Sequence, residues 1–207
     1  MPAGAGAGPK CGPPGSFGLI VLAGGRGARL GGRDKPGLVV GKRTLIGAVV
    51  AAGTAAGAGQ IIVVGPQRAG LAGVSFVTEQ PPGAGPVPAL RRGLAEAQPP
   101  WVAVLAADLP FLRSDDLGVL LQAAAGRQGA VFADQTGRPQ WLAGCWRADT
   151  VRRAAASYQG TSLGGLLGPL DPVLVRLDPP PGEPPPWLDC DTPEDLRTAR
   201  AWPPRAG

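Results

Sequence analysis

The 207-residue chain contains no histidine. That removes His-based triads, His-ligated zinc and histidine general bases in one step. Cysteine is scarce and scattered. Cys11, Cys145 and Cys190 show no C-x-x-C spacing, which points to structural thiols rather than a disulfide framework or a zinc site. Aromatic residues make up only 5%, and no basic run exceeds two residues. A nucleic-acid surface of stacked rings and clustered cations is therefore disfavoured. No apolar run approaches the roughly 20 residues of a membrane span. Met1 to Ser16 holds Gly, Ala and Pro without the apolar block of a signal peptide, so the expected location is the cytoplasm.

What remains is a chain that is 44% hydrophobic with a formal charge of +5. The length suits one α/β domain with a sizeable core. The positive balance fits a local cluster for a small, phosphate-rich ligand better than a polyanion surface. Residues 1–16 read as a disordered Gly/Ala/Pro-rich tail, and residues 17–202 as one domain.

From Phe17 onward, strand-like and helix-like segments alternate. Strands are expected at 17–23, 60–64, 74–78, 101–107, 130–133, 141–146 and 173–177. Helices are expected at 44–56 with Thr44 as cap, 88–97 with Pro88 in the first turn, and 114–125 with Ser114 as cap. Further helices are expected at 148–158, 163–167 and 193–201, the last capped by Thr192. Such alternation implies a largely parallel sheet with helices on both faces. Trp101, Trp141 and Trp146 read first as core residues, with Trp141 and Arg138 as candidates to line an acceptor side. Arg91 and Arg92 are divided between surface charge and phosphate contact.

The first strand runs into Leu22-Ala23-Gly24-Gly25-Arg26-Gly27-Ala28-Arg29-Leu30-Gly31-Gly32-Arg33-Asp34-Lys35-Pro36. Glycine lets a backbone turn sharply and present N–H groups, and the cations add charge aimed at phosphate oxygens. Neither Lys35 nor Lys42 fits a Walker A loop, and Gly25 to Leu30 lacks the third glycine of a dinucleotide fingerprint. Asp108 stands where the most apolar strand ends, as a candidate metal ligand. Asp189 and Asp191 are weaker candidates, with a role at the Thr192 cap open for Asp191. Asp34 is read either as a loop-orienting group or as a salt-bridge partner.

The pattern L-A-G-G-x-G-x-R-x-G-G-x-D-K-P resembles the signature loop of the molybdenum cofactor guanylyltransferase (MobA-like) family. The likeness extends to Gly83–Leu90, to Ala107-Asp108-Leu109-Pro110-Phe111 and to the segment from Asp189 to Leu196. It implies a single-domain Rossmann-like nucleotidyltransferase fold over residues 17–202, with a mostly parallel sheet. It also implies transfer of GMP from GTP to molybdopterin-bound molybdenum with release of pyrophosphate. By the same resemblance, Arg29 and Lys35 act in catalysis. Leu22, Ala23, Gly24, Gly25, Lys35, Gln80 and Asp108 bind nucleotide, and Asp108 and Asp189 hold Mg²⁺. GTP and the molybdopterin cofactor are the implied substrates, with transient contact to molybdoenzymes or other cofactor-assembly proteins, and with neither nucleic acid nor membrane as partner.

By the resemblance, the Ala23-Gly24-Gly25 turn is expected to leave room for a purine, as the A-G-G turn of guanylyl enzymes does where related cytidylyl enzymes more often have A-A-G. Two departures from the family pattern stand at Gln80, where an acidic residue is common, and at Pro88, where small residues are usual. A glutamine cannot accept twice from guanine as a carboxylate does. The alternatives are a relative using CTP or a sugar-phosphate acceptor, and a non-catalytic nucleotide-binding protein.

Overall fold

A computed structural model describes residues 16–24, 34–180 and 182–202. The expected tail over residues 1–16 lies, apart from Ser16, outside them, as does Cys11.

Strand β1, Phe17–Leu22, is buried at every position. A strand covered on both faces needs a continuous apolar run, and FGLIVL supplies one. It pairs in parallel with β4 (Gln60–Val64) on one side and β6 (Trp101–Ala106) on the other. The full sheet has the order β5-β4-β1-β6-β8-β7-β9, with β5 at Ser75–Val77, β7 at Gly129–Ala133, β8 at Pro139–Arg147 and β9 at Val173–Arg176. Only β8 runs against its neighbours, pairing antiparallel with both β6 and β7. The sheet is thus mostly parallel, as expected, with one reversed strand wedged into it. A separate two-stranded ribbon pairs β2 (Val39–Val40) with β3 (Arg43–Thr44).

Side chains alternate across β1 and divide the core in two. Leu19 and Val21 pack on one face with α1 (Leu45–Ala55) and α3 (Ser114–Ala123). Ile20 and Leu22 pack on the other with α2 (Pro86–Glu96), α4 (Ala148–Ser157) and α5 (Leu163–Leu167). The last helix, α6 (Pro193–Ala201), packs beside α1 and β2. Thr44 caps α1 by accepting from Gly47 N at 3.1 Å. Ser114 does not cap α3. It lies inside the helix, and Arg113 holds the cap position, its N–H donating to Asp116 Oδ2 at 2.8 Å. The acidic side chain three residues on closes that end, so no hydroxyl is needed. Helix α2 starts at Pro86, two residues ahead of Pro88, because a proline suits the first helical position. Trp101 and Trp146 are core residues, whereas Trp141 is half-buried and stacks on Trp146 with ring centres 6.4 Å apart.

Two helical glycines let α1 and α2 lie close on β1. A Cβ at Gly53 would sit 2.5 Å from Leu19 Cδ2, and one at Gly93 would sit 2.5 Å from Ile20 Cγ2. Valine at Gly93 therefore overpacks the layer between α2 and β1. Overpacking of this kind costs about 1–3 kcal/mol. The urea midpoint of Gly93→Val is expected to fall accordingly, and an unchanged midpoint would contradict the close approach.

Candidate active site

The carboxyl ends of β1, β4 and β6 finish level with one another. Leu22 pairs with Val64 on one side and Ala106 on the other. The ladder extends one step further: Ala23 N donates to Val64 O at 2.9 Å, and Ala107 N to Leu22 O at 3.2 Å. Leu22 and Ala23 are buried, and Gly24 emerges at the surface. Gly65, with φ of 153°, lies against this turn, and a Cβ there would be 2.9 Å from Ala23 O. Only glycine permits that approach. Ligands of open α/β sheets bind outside the carboxyl ends of the strands, which is where this turn opens. Gly25 and Arg29, with most of the glycine-rich loop, lie outside the described residues.

Asp34 stands immediately ahead of Lys35. Its carboxylate takes both ends of one guanidinium, from Arg68 Nη2 at 2.5 Å and Arg68 Nε at 3.1 Å. Of the two readings of Asp34, the salt bridge is the one observed among the described residues. Lys35 then opens a single 3₁₀ turn with Pro36 buried behind it. Its Nζ donates to Asp191 Oδ1 at 2.6 Å and contacts Asp108 Oδ2. The Lys35 and Asp108 side chains are only 15% and 16% exposed, so this pairing is largely shielded from water. Burial pulls the Lys35 ammonium down, but the hydrogen bonds and charges of Asp108 and Asp191 outweigh it, and its pKa lies above the ordinary lysine value.

Asp108 follows the last residues of β6, so the most apolar strand delivers a carboxylate to the edge of the sheet. Asp189 and Asp191 arrive from the far end of the chain. Between them Cys190 is 1% exposed and packs with Leu45 and Ala199, with Phe111 beside it. This plug fixes the carboxylates on either side of it. The α6 cap is closed without Asp191: Thr192 Oγ1 accepts from Asp195 N at 3.1 Å, while Asp195 Oδ2 accepts from Thr192 N at 2.7 Å. Asp191 turns to Lys35 instead. Partial burial, then the negative charges of Asp191 and Asp108, raise the Asp189 pKa, with Lys35 opposing. Burial likewise pushes both the Cys145 and the Cys190 thiol up to about 12, which keeps them protonated and inert. They are structural thiols, as their spacing suggests.

Among the described residues, no group of three or more His, Cys, Asp or Glu side chains forms a metal cage. The donor set does fit an ion that takes one or two carboxylates and fills its other positions with water and substrate phosphate. Asp108 and Asp191 already converge on one cationic atom, and Asp189 feels the charge of both.

Elsewhere the sequence candidates separate. Gln80 is exposed, and the acidic group of its segment is the neighbouring Glu79, which is 4% exposed beneath the Gly24 turn. The signal for it was a single carboxylate one position from the expected one. Arg91 is tied to the end of α4, donating to Ala155 O from Nε at 3.0 Å, while Arg92 pairs with Glu96 at 2.6 Å. Arg138 is exposed in the turn before β8, where Asp134 Oδ1 accepts from Thr136 N at 2.9 Å and from Arg138 N at 3.0 Å. Because β8 is reversed, its first residues, not its last, lie towards the same edge as Asp108.

The chain matches the model of the MobA-like NTP transferase domain over residues 19–173. It is 29% identical over 198 residues to a probable molybdenum cofactor guanylyltransferase from Natronomonas pharaonis, covering 87% of this chain and 95% of that protein. Among solved structures it resembles the molybdopterin-guanine dinucleotide biosynthesis protein A of Archaeoglobus fulgidus, with a TM-score of 0.66 and 17% identity over 88% of this chain and 96% of that one. It also resembles 2-C-methyl-D-erythritol 4-phosphate cytidylyltransferase of Thermus thermophilus, with a TM-score of 0.66 and 19% identity over 90% and 98% of the two chains. The equal scores show that the backbone carries the fold and not the choice of base. With the family model spanning most of the chain, and a strand–turn–lysine edge of the kind described above, this protein belongs to the MobA-like NTP transferase family.

Proposed function

We propose that this chain is a molybdenum cofactor guanylyltransferase, transferring GMP from GTP to the phosphate end of molybdopterin-bound molybdenum and releasing pyrophosphate. The observation that carries the reading is the Lys35–Asp108–Asp191 cluster, set at the carboxyl edge of β1 and β6 beside the Ala23–Gly24 turn. It is supported by a relative of that name aligned over most of both chains.

An oxygen of the acceptor phosphate attacks the α-phosphorus of GTP. A new P–O bond forms there, and the bond to the bridging oxygen breaks, so that pyrophosphate carries away the electron pair. A phosphate monoester has a second pKa of about 6 and is largely dianionic at neutral pH. It needs no protein base, which accords with a chain that has no histidine. Catalysis then lies in positioning and in charge placed where charge develops. Backbone N–H groups of Gly24 and Gly25 cradle the triphosphate, with Arg29 and Lys35 supplying positive charge to its oxygens. Leu22 and Ala23 set the floor of the base site. Asp108 and Asp189 would hold Mg²⁺, which supplies charge neutralisation to the triphosphate when bound. Trp141 and Arg138, near the first residues of β8, take the acceptor side, where a planar pterin favours ring and guanidinium stacking.

The test is pyrophosphate release measured with each of the four common nucleoside triphosphates, with and without molybdopterin-bound molybdenum. Turnover is expected with GTP and acceptor together. Turnover with CTP but not GTP would overturn the guanylyl reading in favour of the cytidylyl one.

A further inference from the structure

Both ends of the glycine-rich loop rest on one short segment, the exit of β4. At the start of the loop, Gly65 lies against the turn, so close that a Cβ there would be 2.9 Å from Ala23 O. At its end, Arg68 grips Asp34 with two prongs, donating from Nη2 to Oδ1 at 2.5 Å and from Nε to Oδ2 at 3.1 Å. The third nitrogen, Nη1, donates to Pro66 O at 3.0 Å and ties the guanidinium back to its own segment. Arginine is mostly exposed in folded proteins, yet this side chain is only 12% exposed. An aspartate ahead of a helical turn ordinarily accepts from a backbone N–H within that turn. Asp34 makes no such bond to the 3₁₀ turn of Lys35–Gly37. Both of its oxygens go to Arg68 instead. Gly37 makes room for them, since a Cβ there would sit 2.6 Å from Asp34 Oδ2. A carboxylate suited to capping is thus diverted to a guanidinium, and the next residue is Lys35.

We propose that Arg68 is a positioning residue for Lys35: by gripping Asp34 it sets where the ammonium stands at the sheet edge. This rests on the reading of Lys35 as a cation for the triphosphate, and not on which base that triphosphate carries. Asp108 and Asp191 hold only the tip of a flexible four-carbon side chain. They do not fix the backbone from which it springs. Arg68 acts one residue away from that backbone. A planar guanidinium met by both carboxylate oxygens fixes direction as well as distance, which a point charge does not. Pro36, buried on the other side of Lys35, completes the hold. The Asp34 side chain is 57% exposed, and ion pairs so open to water add little to stability. What the pair supplies is geometry, and a catalytic charge misplaced by about 1 Å can cost up to about a hundredfold in rate.

Lysine occurs only at positions 10, 35 and 42, so NMR of lysine-labelled protein gives few side-chain signals, and Lys35 is identified by its loss in Lys35→Ala. In Arg68→Gln the Lys35 signal is expected to move towards that of the exposed Lys42, which itself stays where it is. Asp34→Asn is expected to move it the same way. The kinetic counterpart is pyrophosphate release on whichever triphosphate and acceptor the wild type turns over. Arg68→Gln is expected to lower kcat about tenfold, with a thermal midpoint close to wild type. Arg68→Gln combined with Asp34→Asn is expected to fall no further than the worse single variant, because the two residues act as one. In a Lys35→Ala background, Arg68→Gln is expected to cost less than about twofold, because no ammonium is left to place. A second tenfold loss there would overturn the proposal, as would a Lys35 signal unmoved by Arg68→Gln. If that variant does not fold, Arg68→Lys, which keeps the charge and loses the fork, is measured in its place. Wild-type turnover with CTP but not GTP would overturn the guanylyl reading and leave this one intact. With no turnover on any triphosphate, the Lys35 signal alone decides.

Discussion

Lys35→Ala is expected to lower turnover by at least about a hundredfold, the scale of one lost transition-state contact in a shielded site. Two effects act together. The triphosphate loses a cation at its oxygens, and Asp108 and Asp191 lose the ammonium that lies between them. Two carboxylates left facing each other repel, and they meet the incoming triphosphate with negative charge alone. The drop belongs in kcat more than in KM if Lys35 acts on charge that develops during transfer. Proton loss from Lys35 does not mimic the variant near neutrality. Its pKa is raised, so the stabilisation its pairing provides is complete below the ordinary lysine value and fades only as pH climbs through the higher folded one. Pyrophosphate release by the purified variant, with GTP and acceptor at saturation, measures this. Full activity would refute the assigned role.

Asp108→Ala is expected to cost turnover by a factor of about a hundred or more, for a different reason. Here Lys35 keeps Asp191 as a partner, so the cation remains while the carboxylate at the end of β6 is lost. The β1–β6 ladder closes at Ala106, and the backbone bond from Ala107 N to Leu22 O does not involve the Asp108 side chain. The fold should therefore be little disturbed, and a thermal unfolding curve close to wild type is part of the expected result. In the proposed role a lost ligand both weakens and misplaces Mg²⁺, so raising Mg²⁺ in the assay should restore the rate only in part, by offsetting the weaker binding through mass action. Wild-type turnover in Asp108→Ala would remove this residue from the site.

Local chemistry made much of this fold legible. QIIVV at 60–64 is a buried parallel strand at those limits, and α5 and α6 begin and end where their caps and periodicity place them. Thr192 and Pro193 announce α6 because capping is decided within one turn. The reversal of β8 was not legible. Strand direction depends on which distant partner a segment meets, and Trp141–Trp146 looks the same whichever way it runs. Nor was the start of α2, because Pro86 and Pro88 both suit a first turn. At the site, Asp108 announced itself by ending an apolar strand. Asp191 was ambiguous because its neighbour Asp195 performs the cap that Asp191 also suited. Which of Glu79 and Gln80 is buried was not legible either, because a one-residue step along an extended segment turns a side chain to the other side.

Lys35 and Asp191 are 156 residues apart in the chain, yet they share one hydrogen bond. The glycine-rich loop precedes the segment from Asp189 to α6 by more than half of that distance, and Asp108 precedes it by about half; what joins them is the fold, not the local sequence. Until Cys190 seats against Leu45, half of the acidic cluster is missing. The matched family domain ends at residue 173, so this closing segment lies beyond it. Closure of the Lys35 cluster therefore depends on a segment far downstream, and a truncation ahead of Asp189 would leave the ammonium without its Asp191 hydrogen bond.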